Sequence, residues 1–294
     1  MTPRELILQI SARLKAAGVP DPTTDSALML SRLTERPPLE LRMDMETEIT
    51  AGTLAQMEAL AQRRCKREPL QYILGEAPFF GRMFESTPGA LIPRPETEEL
   101  CRWALEQLEP GGSPSILDLC AGSGCIGLTM KLERPEAEVT LAELSDEAIR
   151  TAERNRNRFG ADARILKSDL FSAVAGKRFD LILSNPPYIP SGECPGLQRE
   201  VLYEPLMALD GGADGLAFYR RIAAEAGAFM KAGGCLMMEL GDGEAGKVKQ
   251  MLAEAGWRNI EVRQDLAGKQ RMIRGEAPEG EKHVYKAGRN AEPV

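Results

Sequence analysis

The chain has 294 residues, 43% hydrophobic and 28% charged, a balance that excludes extended disorder and suits one ordinary soluble domain plus a smaller one. Its formal net charge of −7 argues against nucleic acid as a substrate and leaves a basic protein as the more compatible partner. Cys65, Cys101, Cys120, Cys125, Cys194 and Cys235 form no CxxC pair or metal-spaced cluster, and the single histidine, His283, sits in a polar tail. Metal sites, Ser-His-Asp catalysis and Cys-His catalysis are therefore not expected. There is no apolar leader after Met1 and no run of about 18 apolar residues, so reduced thiols and a cytoplasmic setting are expected, with no membrane partner.

Thr2 to Glu5 fits a capping box with Pro3 at the first helical position, and Leu6, Ile10 and Leu14 continue a helix that Gly18 ends. A second helix is predicted after Asp21, with Ala27, Leu28, Leu30 and Leu33 inside and Pro37-Pro38 as its breaker. A third begins near Thr50 and carries Leu54, Met57, Leu60 and Ala61. The basic runs Arg63-Arg64-Cys65-Lys66-Arg67 and Arg154 to Arg158 read as solvated helix faces. Residues 1–70 thus form a small helical domain. Tyr72 to Gly75 and Phe79 to Phe84 look like the two strands of a connecting hairpin over 71–91.

From residue 92 to 294 helices and strands alternate, which predicts an α/β domain with a mainly parallel sheet. Helices are expected at Glu96 to Leu108, after the turn at 120–124 to about Arg134, and at Asp146 to Phe159, Leu216 to Lys231 and Glu244 to Ala255. Strands are expected at Ser115 to Leu119, Val139 to Glu143, Ala163 to Lys167, Phe179 to Ser184, Gly234 to Leu240, Trp257 to Arg263 and Gln270 to Arg274.

Two segments carry chemistry. Asp118-Leu119-Cys120-Ala121-Gly122-Ser123-Gly124 leaves a strand and opens a helix, and Gly122, Gly124 and Gly127 have the spacing G-x-G-x-x-G. Glycines let the backbone approach a ligand, and helix-start amides face it. Glu143 ends the next strand, 143 − 122 = 21 residues after Gly122, where a carboxylate can accept ribose hydroxyls. The spacing alone fits dinucleotide binding too. The second segment, Ser184-Asn185-Pro186-Pro187-Tyr188, directly follows a strand, the end of an α/β sheet where ligands bind. Asn185 offers a carbonyl acceptor and the Pro186 carbonyl another; the prolines stiffen the loop, and Tyr188 offers a face for stacking on a planar group.

Together the glycine loop and Asn-Pro-Pro-Tyr turn resemble the amino-methyltransferases that act on planar NH₂ groups. Ile92 to Glu99, Ser168-Asp169-Leu170-Phe171, Tyr203-Glu204-Pro205 with Ala208-Leu209, Gly212 to Leu216, and Asp265 to Gly268 with Arg271 narrow the resemblance to the HemK/PrmC family. It implies a Rossmann-like, mainly parallel seven-stranded S-adenosylmethionine-dependent methyltransferase fold with a small N-terminal helical domain. It also implies methylation of glutamine N5 in the Gly-Gly-Gln loop of peptide chain release factors, with the helical domain binding the factor. Carried onto this sequence, Asn185, Pro186, Pro187 and Tyr188 are the expected catalytic and substrate-binding residues. Asp118, Cys120, Ala121, Gly122, Ser123, Gly124, Glu143, Asp169, Leu170 and Asn185 are the expected cofactor residues. Two positions depart from the family: Cys120 stands where glycine is usual, and Glu143 where aspartate is usual. A DNA amino-methyltransferase shares both motifs but brings a target-recognition region and a basic surface that are not found here. A non-catalytic binding protein on the same fold, and more distantly a dinucleotide oxidoreductase, are the remaining alternatives.

Overall fold

The computed structural model describes residues 1–277, so His283 and the tail around it lie outside the described residues. Helix α1 (Pro3–Ala16) opens on a complete capping box between Thr2 and Glu5, and α2 (Pro22–Thr34) is capped by Asp21. Pro38 does not simply break the chain. It is the first residue of a short α3 (Pro38–Met43), a position where its missing N–H is harmless. Thr50 caps α4 (Ala51–Cys65). Leu6, Ile10, Leu14, Leu30, Leu41, Met57 and Ala61 are fully buried between these helices.

Residues expected to form the first hairpin strand are instead one helical turn, α5 (Leu70–Leu74). The Pro69 carbonyl accepts from the amides of Tyr72 and Ile73, and Gly75 closes the turn with φ +80°. The apolar run Tyr72-Ile73-Leu74 has strand-like composition, but flanking Pro69 and Gly75 set its backbone. The hairpin follows, as β1 (Glu76–Phe79) and β2 (Arg82–Glu85), joined by Phe80 and Gly81 with φ +50° and +73°. Two consecutive positive φ values match the twist of a tight hairpin. Its Phe79 and Phe84 pack edge to face with centroids 5.7 Å apart, and Phe84 meets Phe159 at 4.7 Å, so the hairpin belongs to the core beneath the large sheet.

The α/β part runs α6 (Pro95–Glu106), β3 (Ser115–Leu119), α7 (Cys125–Glu133), β4 (Glu138–Glu143), α8 (Asp146–Phe159), β5 (Ala163–Lys167), β6 (Phe179–Ser184), α9 (Ala217–Glu225), β7 (Met230–Glu239), α10 (Ala245–Glu254), β8 (Arg258–Gln264) and β9 (Gln270–Glu276). Seven strands lie in the order β5-β4-β3-β6-β7-β9-β8; the first five are parallel, and β9 is antiparallel to both neighbours. The helix expected to reach Lys231 stops at Glu225, passes through a 3-10 turn around Gly227, and gives way to β7 at Met230. Mid-helix glycine is weakly helical, and Met230 instead pairs with Phe179. Side chains alternate between the two faces: Leu117, Leu119 and Ile182 enter one core, and Ile116, Leu181 and Leu183 the other. Strands are added outward on one side from β3 to β5 and on the other from β6, so the strand order switches between the parallel neighbours β3 and β6, which makes the carboxyl ends of β3, β4, β5 and β6 the natural place for a ligand.

The helical bundle is tied to the α/β part through Arg64, which is 4% exposed rather than part of a solvated face. Its guanidinium donates to Asp25 at 2.7 Å, Glu200 at 3.0 Å and the Glu68 carbonyl at 3.0 Å, and Arg67 grips both oxygens of Glu200 at 2.6 Å. Arg64→Ala leaves the buried Asp25 carboxylate without its cation and is expected to lower unfolding stability by about 3 kcal/mol, measured by urea titration.

Candidate active site

Four strand ends build one cavity of about 320 Å³. Cys120 and Gly122 reach it after β3, Glu143 at the end of β4, Asp169 and Leu170 after β5, and Asn185 and Pro187 after β6. Gly89, Ala90 and Leu91 cross it as a strap, and Pro205 to Ala208 close the far side. Tyr72 holds the strap by donating its hydroxyl to the Ala90 carbonyl at 2.9 Å.

The three glycines of the loop have different tasks. A Cβ on Gly122, at φ +55°, would meet no atom within 4 Å and would project into open space. A Cβ on Gly127 would lie 2.9 Å from Leu141 and 3.0 Å from the Asp118 carboxylate, so its absence lets α7 settle onto the sheet. Gly124, at φ +81°, is crowded by Leu128 and Leu141. Cys120, where the resembling family carries glycine, has φ +56°, the left-handed region that favours glycine.

Asp118, Ala121, Ser123 and Gly124 stand behind this wall rather than on it. Alternation along β3 turns Asp118 toward α7, where it is fully buried and accepts the Gly127 amide at 2.8 Å. Its other oxygen has no hydrogen-bond partner. Burial pushes this carboxyl up to about 8, against the Gly127 amide and helped by nearby Glu143. Glu143 gathers the amides of Gly122, Leu144 and Ser145 at 2.7 to 2.8 Å, so the carboxylate fixes the loop while facing the cavity. Asp169 pairs with Arg221 at 2.9 Å.

A second cavity, of about 410 Å³, adjoins the first. Pro186 and Tyr188 line it together with Arg94, Glu96, Glu239 and Arg271, and Leu91, Asn185 and Ala208 belong to both walls. The Asn185-Pro186-Pro187-Tyr188 turn therefore divides itself: Pro187 faces the first cavity, Pro186 and Tyr188 the second, and Asn185 both. Burial, with Glu239 close by, lifts the Tyr188 phenol to about 12 and keeps it neutral. Glycines grip the turn from behind. A Cβ on Gly215 would come 2.4 Å from the Tyr188 carbonyl, and one on Gly211 would come 2.7 Å from the Tyr188 Cα. That close approach gives the Gly211 to Gly215 segment its physical reason.

Several residues that complete the site were given no site role in the sequence, although Arg94, Thr97 and Glu204 stand in the motifs that carry the resemblance. Asn155 on α8, fully buried, donates to the Ser123 carbonyl at 3.0 Å and accepts the Glu85 amide at 2.7 Å, tying the glycine loop to the hairpin. Glu204 pairs with Arg94 and accepts the Ile92 amide at 3.0 Å, joining the strap to the opposite wall. Thr97 and Glu239 stand behind Asn185. Glu239 carried a readable signal, an acid at the end of an otherwise apolar strand; nothing in the local sequence distinguishes Asn155.

A cradle open at Gly122 and a carboxylate at the end of the neighbouring strand, on this order of strands, place the chain among the S-adenosylmethionine-dependent methyltransferases. Solved structures support the fold: a methyltransferase from Pyrococcus furiosus has a TM-score of 0.51 at 20% identity, over 68% of this chain and 91% of that one. A T. thermophilus 16S rRNA methyltransferase in complex with AdoMet and guanosine has a TM-score of 0.51 at 22% identity, over 69% of this chain and 49% of that one. The PrmC N-terminal domain profile matches residues 5–75, and the methyltransferase small domain profile matches residues 99–203. The release factor glutamine methyltransferase of Geobacter sulfurreducens is 40% identical over 89% of this chain and 92% of its own length. That of Deinococcus radiodurans is 38% identical over 92% and 97%. The chain belongs to the release factor glutamine methyltransferase family.

The two glycines separate stability from binding. Gly127→Ala is expected to cost about 2 kcal/mol in urea unfolding, because its Cβ meets Leu141 and the Asp118 carboxylate. Gly122→Leu is expected to weaken S-adenosylmethionine binding at least about tenfold by calorimetric titration, because its side chain enters the cavity.

Proposed function

We propose that this protein transfers a methyl group from S-adenosylmethionine to the side-chain amide N5 of the glutamine in the Gly-Gly-Gln motif of peptide chain release factors. The family relationship supports the reaction, and the single observation that carries it onto these residues is Asn185 standing on the wall shared by two cavities. One cavity is for the cofactor and the other for the glutamine side chain.

The cavity residues fit the cofactor. Gly122 leaves room for it, Glu143 faces where a ribose would present hydroxyls, and Leu170 with Asp169 offers an apolar wall beside an acceptor for adenine. Cys120, Ala121, Ser123 and Gly124 shape the backbone around the amino acid end, and Asp118 braces that loop from behind through Gly127. When bound, the cofactor supplies a methyl already activated by its sulfonium.

The remaining difficulty belongs to the substrate. An amide lone pair is delocalised over its carbonyl, so the nitrogen attacks only when it is held in line with the methyl. The Asn185 carbonyl oxygen and the Pro186 carbonyl accept the two N–H bonds and fix the nitrogen between the cavities. Positive charge that develops on nitrogen is stabilised by the same two oxygens. Pro187 keeps the turn rigid, and Tyr188, neutral across the working range, stacks on the amide plane. As the nitrogen–carbon bond forms, the methyl–sulfur bond breaks and its electron pair stays on sulfur, which leaves as a neutral thioether, and the nitrogen releases one of its two protons to water.

The helices of residues 1–70 are assigned to holding the release factor. No helix among the described residues is long and apolar enough to cross a membrane, and a cytoplasmic setting is part of the proposal. The purified protein, given labelled S-adenosylmethionine, is expected to label a wild-type release factor and not the same factor carrying Gln→Ala in its Gly-Gly-Gln loop. Equal labelling of both factors would place the methyl elsewhere and overturn the assignment.

A further inference from the structure

An asparagine side chain can be turned by 180° without changing its shape, and the two orientations are opposite in chemistry. With the oxygen toward the substrate, Asn185 accepts an N–H bond from the glutamine amide; with the nitrogen there, two NH₂ groups would face each other. The reading proposed above therefore needs something that decides the orientation, and the turn's own residues do not.

The deciding contacts come from behind. Register puts Ser184 of β6 opposite Met238 of β7, so Asn185 and Glu239 leave the sheet side by side. Thr97, in the first turn of α6, lies between them and is 2% exposed. The Thr97 hydroxyl donates to Glu239 Oε2 at 2.6 Å, and Asn185 Nδ2 donates to Thr97 Oγ1 at 3.2 Å. The order of donors is dictated by one group. An ionised carboxylate can only accept, so the Thr97 hydrogen must point at Glu239. Its oxygen is then an acceptor, and only the NH₂ end of Asn185 can satisfy it. The Asn185 carbonyl oxygen is left facing the space where the two cavities meet.

We propose that Thr97 and Glu239 are positioning residues for methyl transfer: acting as a one-way hydrogen-bond relay, they lock the Asn185 amide with its oxygen toward the substrate nitrogen. The inference rests on the function proposed above, but the orientation of Asn185 can be observed without it.

The relay also carries a pH dependence. Glu239 is 3% exposed, and burial raises its carboxyl to about 7 even though Thr97, Arg271 and Asn185 favour the charged form. The groups around it are Glu96 and Cys101 from α6, Cys125 from α7, Arg271 from β9, and Tyr188 and Tyr219 from the loop and α9. Glu96 opposes ionisation and Arg271 favours it, while the two thiols and the phenols are pushed above their usual values and stay neutral. Above pH 7 Glu239 is charged and the relay runs one way. Below it the protonated carboxyl has a hydrogen of its own to donate, Thr97 is free to turn, and Asn185 loses its preference. Methyl transfer should therefore fall as pH drops through about 7, with substrate affinity less affected.

The test uses the full chain with S-adenosylmethionine bound and compares Thr97→Val, which keeps shape and removes the hydroxyl, with Thr97→Ser, which keeps the hydroxyl. The first readout is the side-chain NH₂ resonance of Asn185, identified by its loss in Asn185→Ser. Thr97→Val should move that resonance, and Thr97→Ser should leave it near its wild-type position. With a release factor as substrate, Thr97→Val should lower kcat at least about tenfold while KM for S-adenosylmethionine stays within about twofold, and Thr97→Ser should recover most of kcat. The acid limb of the kcat profile near pH 7 should disappear in Glu239→Gln, whose side chain does not titrate. An unmoved Asn185 resonance with unchanged kcat in Thr97→Val would overturn the relay, as would an unaltered acid limb in Glu239→Gln. A wild-type protein that methylates no release factor would overturn the function instead, and the resonance would still decide the relay.

Discussion

A primary amide nitrogen is a poor nucleophile, and the arrangement at this site answers the need to hold one such nitrogen motionless against an activated methyl. The hold has to come from acceptors fixed in advance, since a mobile carbonyl would lose in ordering entropy what it gained in hydrogen bonding. In the proposed function the acceptors, Asn185 and the Pro186 carbonyl, sit on a two-proline turn at the end of a central strand. Three layers fix them: glycines at 211 and 215 that let a neighbouring loop press against the Tyr188 backbone, the strand pairing of β6 with β7, and the Thr97–Glu239 pair behind the asparagine. None of these contacts touches the substrate, yet each removes a motion that the asparagine would otherwise have.

The same economy ties the helical bundle to the chemistry. Glu200, gripped by Arg64 and Arg67, lies in the loop that also supplies Leu197, Gln198 and Val201 to the second cavity. Tyr203 in that loop donates to the Lys66 carbonyl at 2.9 Å, and Glu204 next to it holds Arg94 and the strap over the first cavity. A shift of the bundle would thus reach both cavity walls through one short stretch of chain. The ions involved are largely sheltered from water, where breaking a pair is far more disruptive than at the surface.

Much of this was legible in the residues. Capping residues fixed the starts of α1, α2 and α4, and short apolar runs alternating with helical segments located the parallel strands, whose central members are buried on both faces. The glycine loop and Asn-Pro-Pro-Tyr turn announced themselves because unusual backbone chemistry is concentrated in a few adjacent positions. Elements whose state is set by neighbours were misread. Tyr72-Ile73-Leu74 has the composition of a strand and forms a helical turn because Pro69 and Gly75 bracket it. Lys231 looked helical but is drawn into β7 by the pairing of Met230 with Phe179. Arg64 looked solvated until its partners, 39 and 136 residues away, were brought to it. The roles of Asn155 and Thr97 were hidden for the same reason: they depend on what folding places opposite them.

The claim at the centre is that binding the methyl donor and aiming the acceptor nitrogen are tasks of different residues meeting at one asparagine. It is tested most directly by removing that side chain and measuring both tasks on the same protein. Calorimetric titration of Asn185→Ala with S-adenosylmethionine, beside single-turnover methylation of a release factor, should give an affinity within a few fold of wild type and a transfer rate lower by at least about a hundredfold. A folded Asn185→Ala protein that loses cofactor affinity and transfer to the same extent, or one that transfers the methyl at the wild-type rate, would contradict the account.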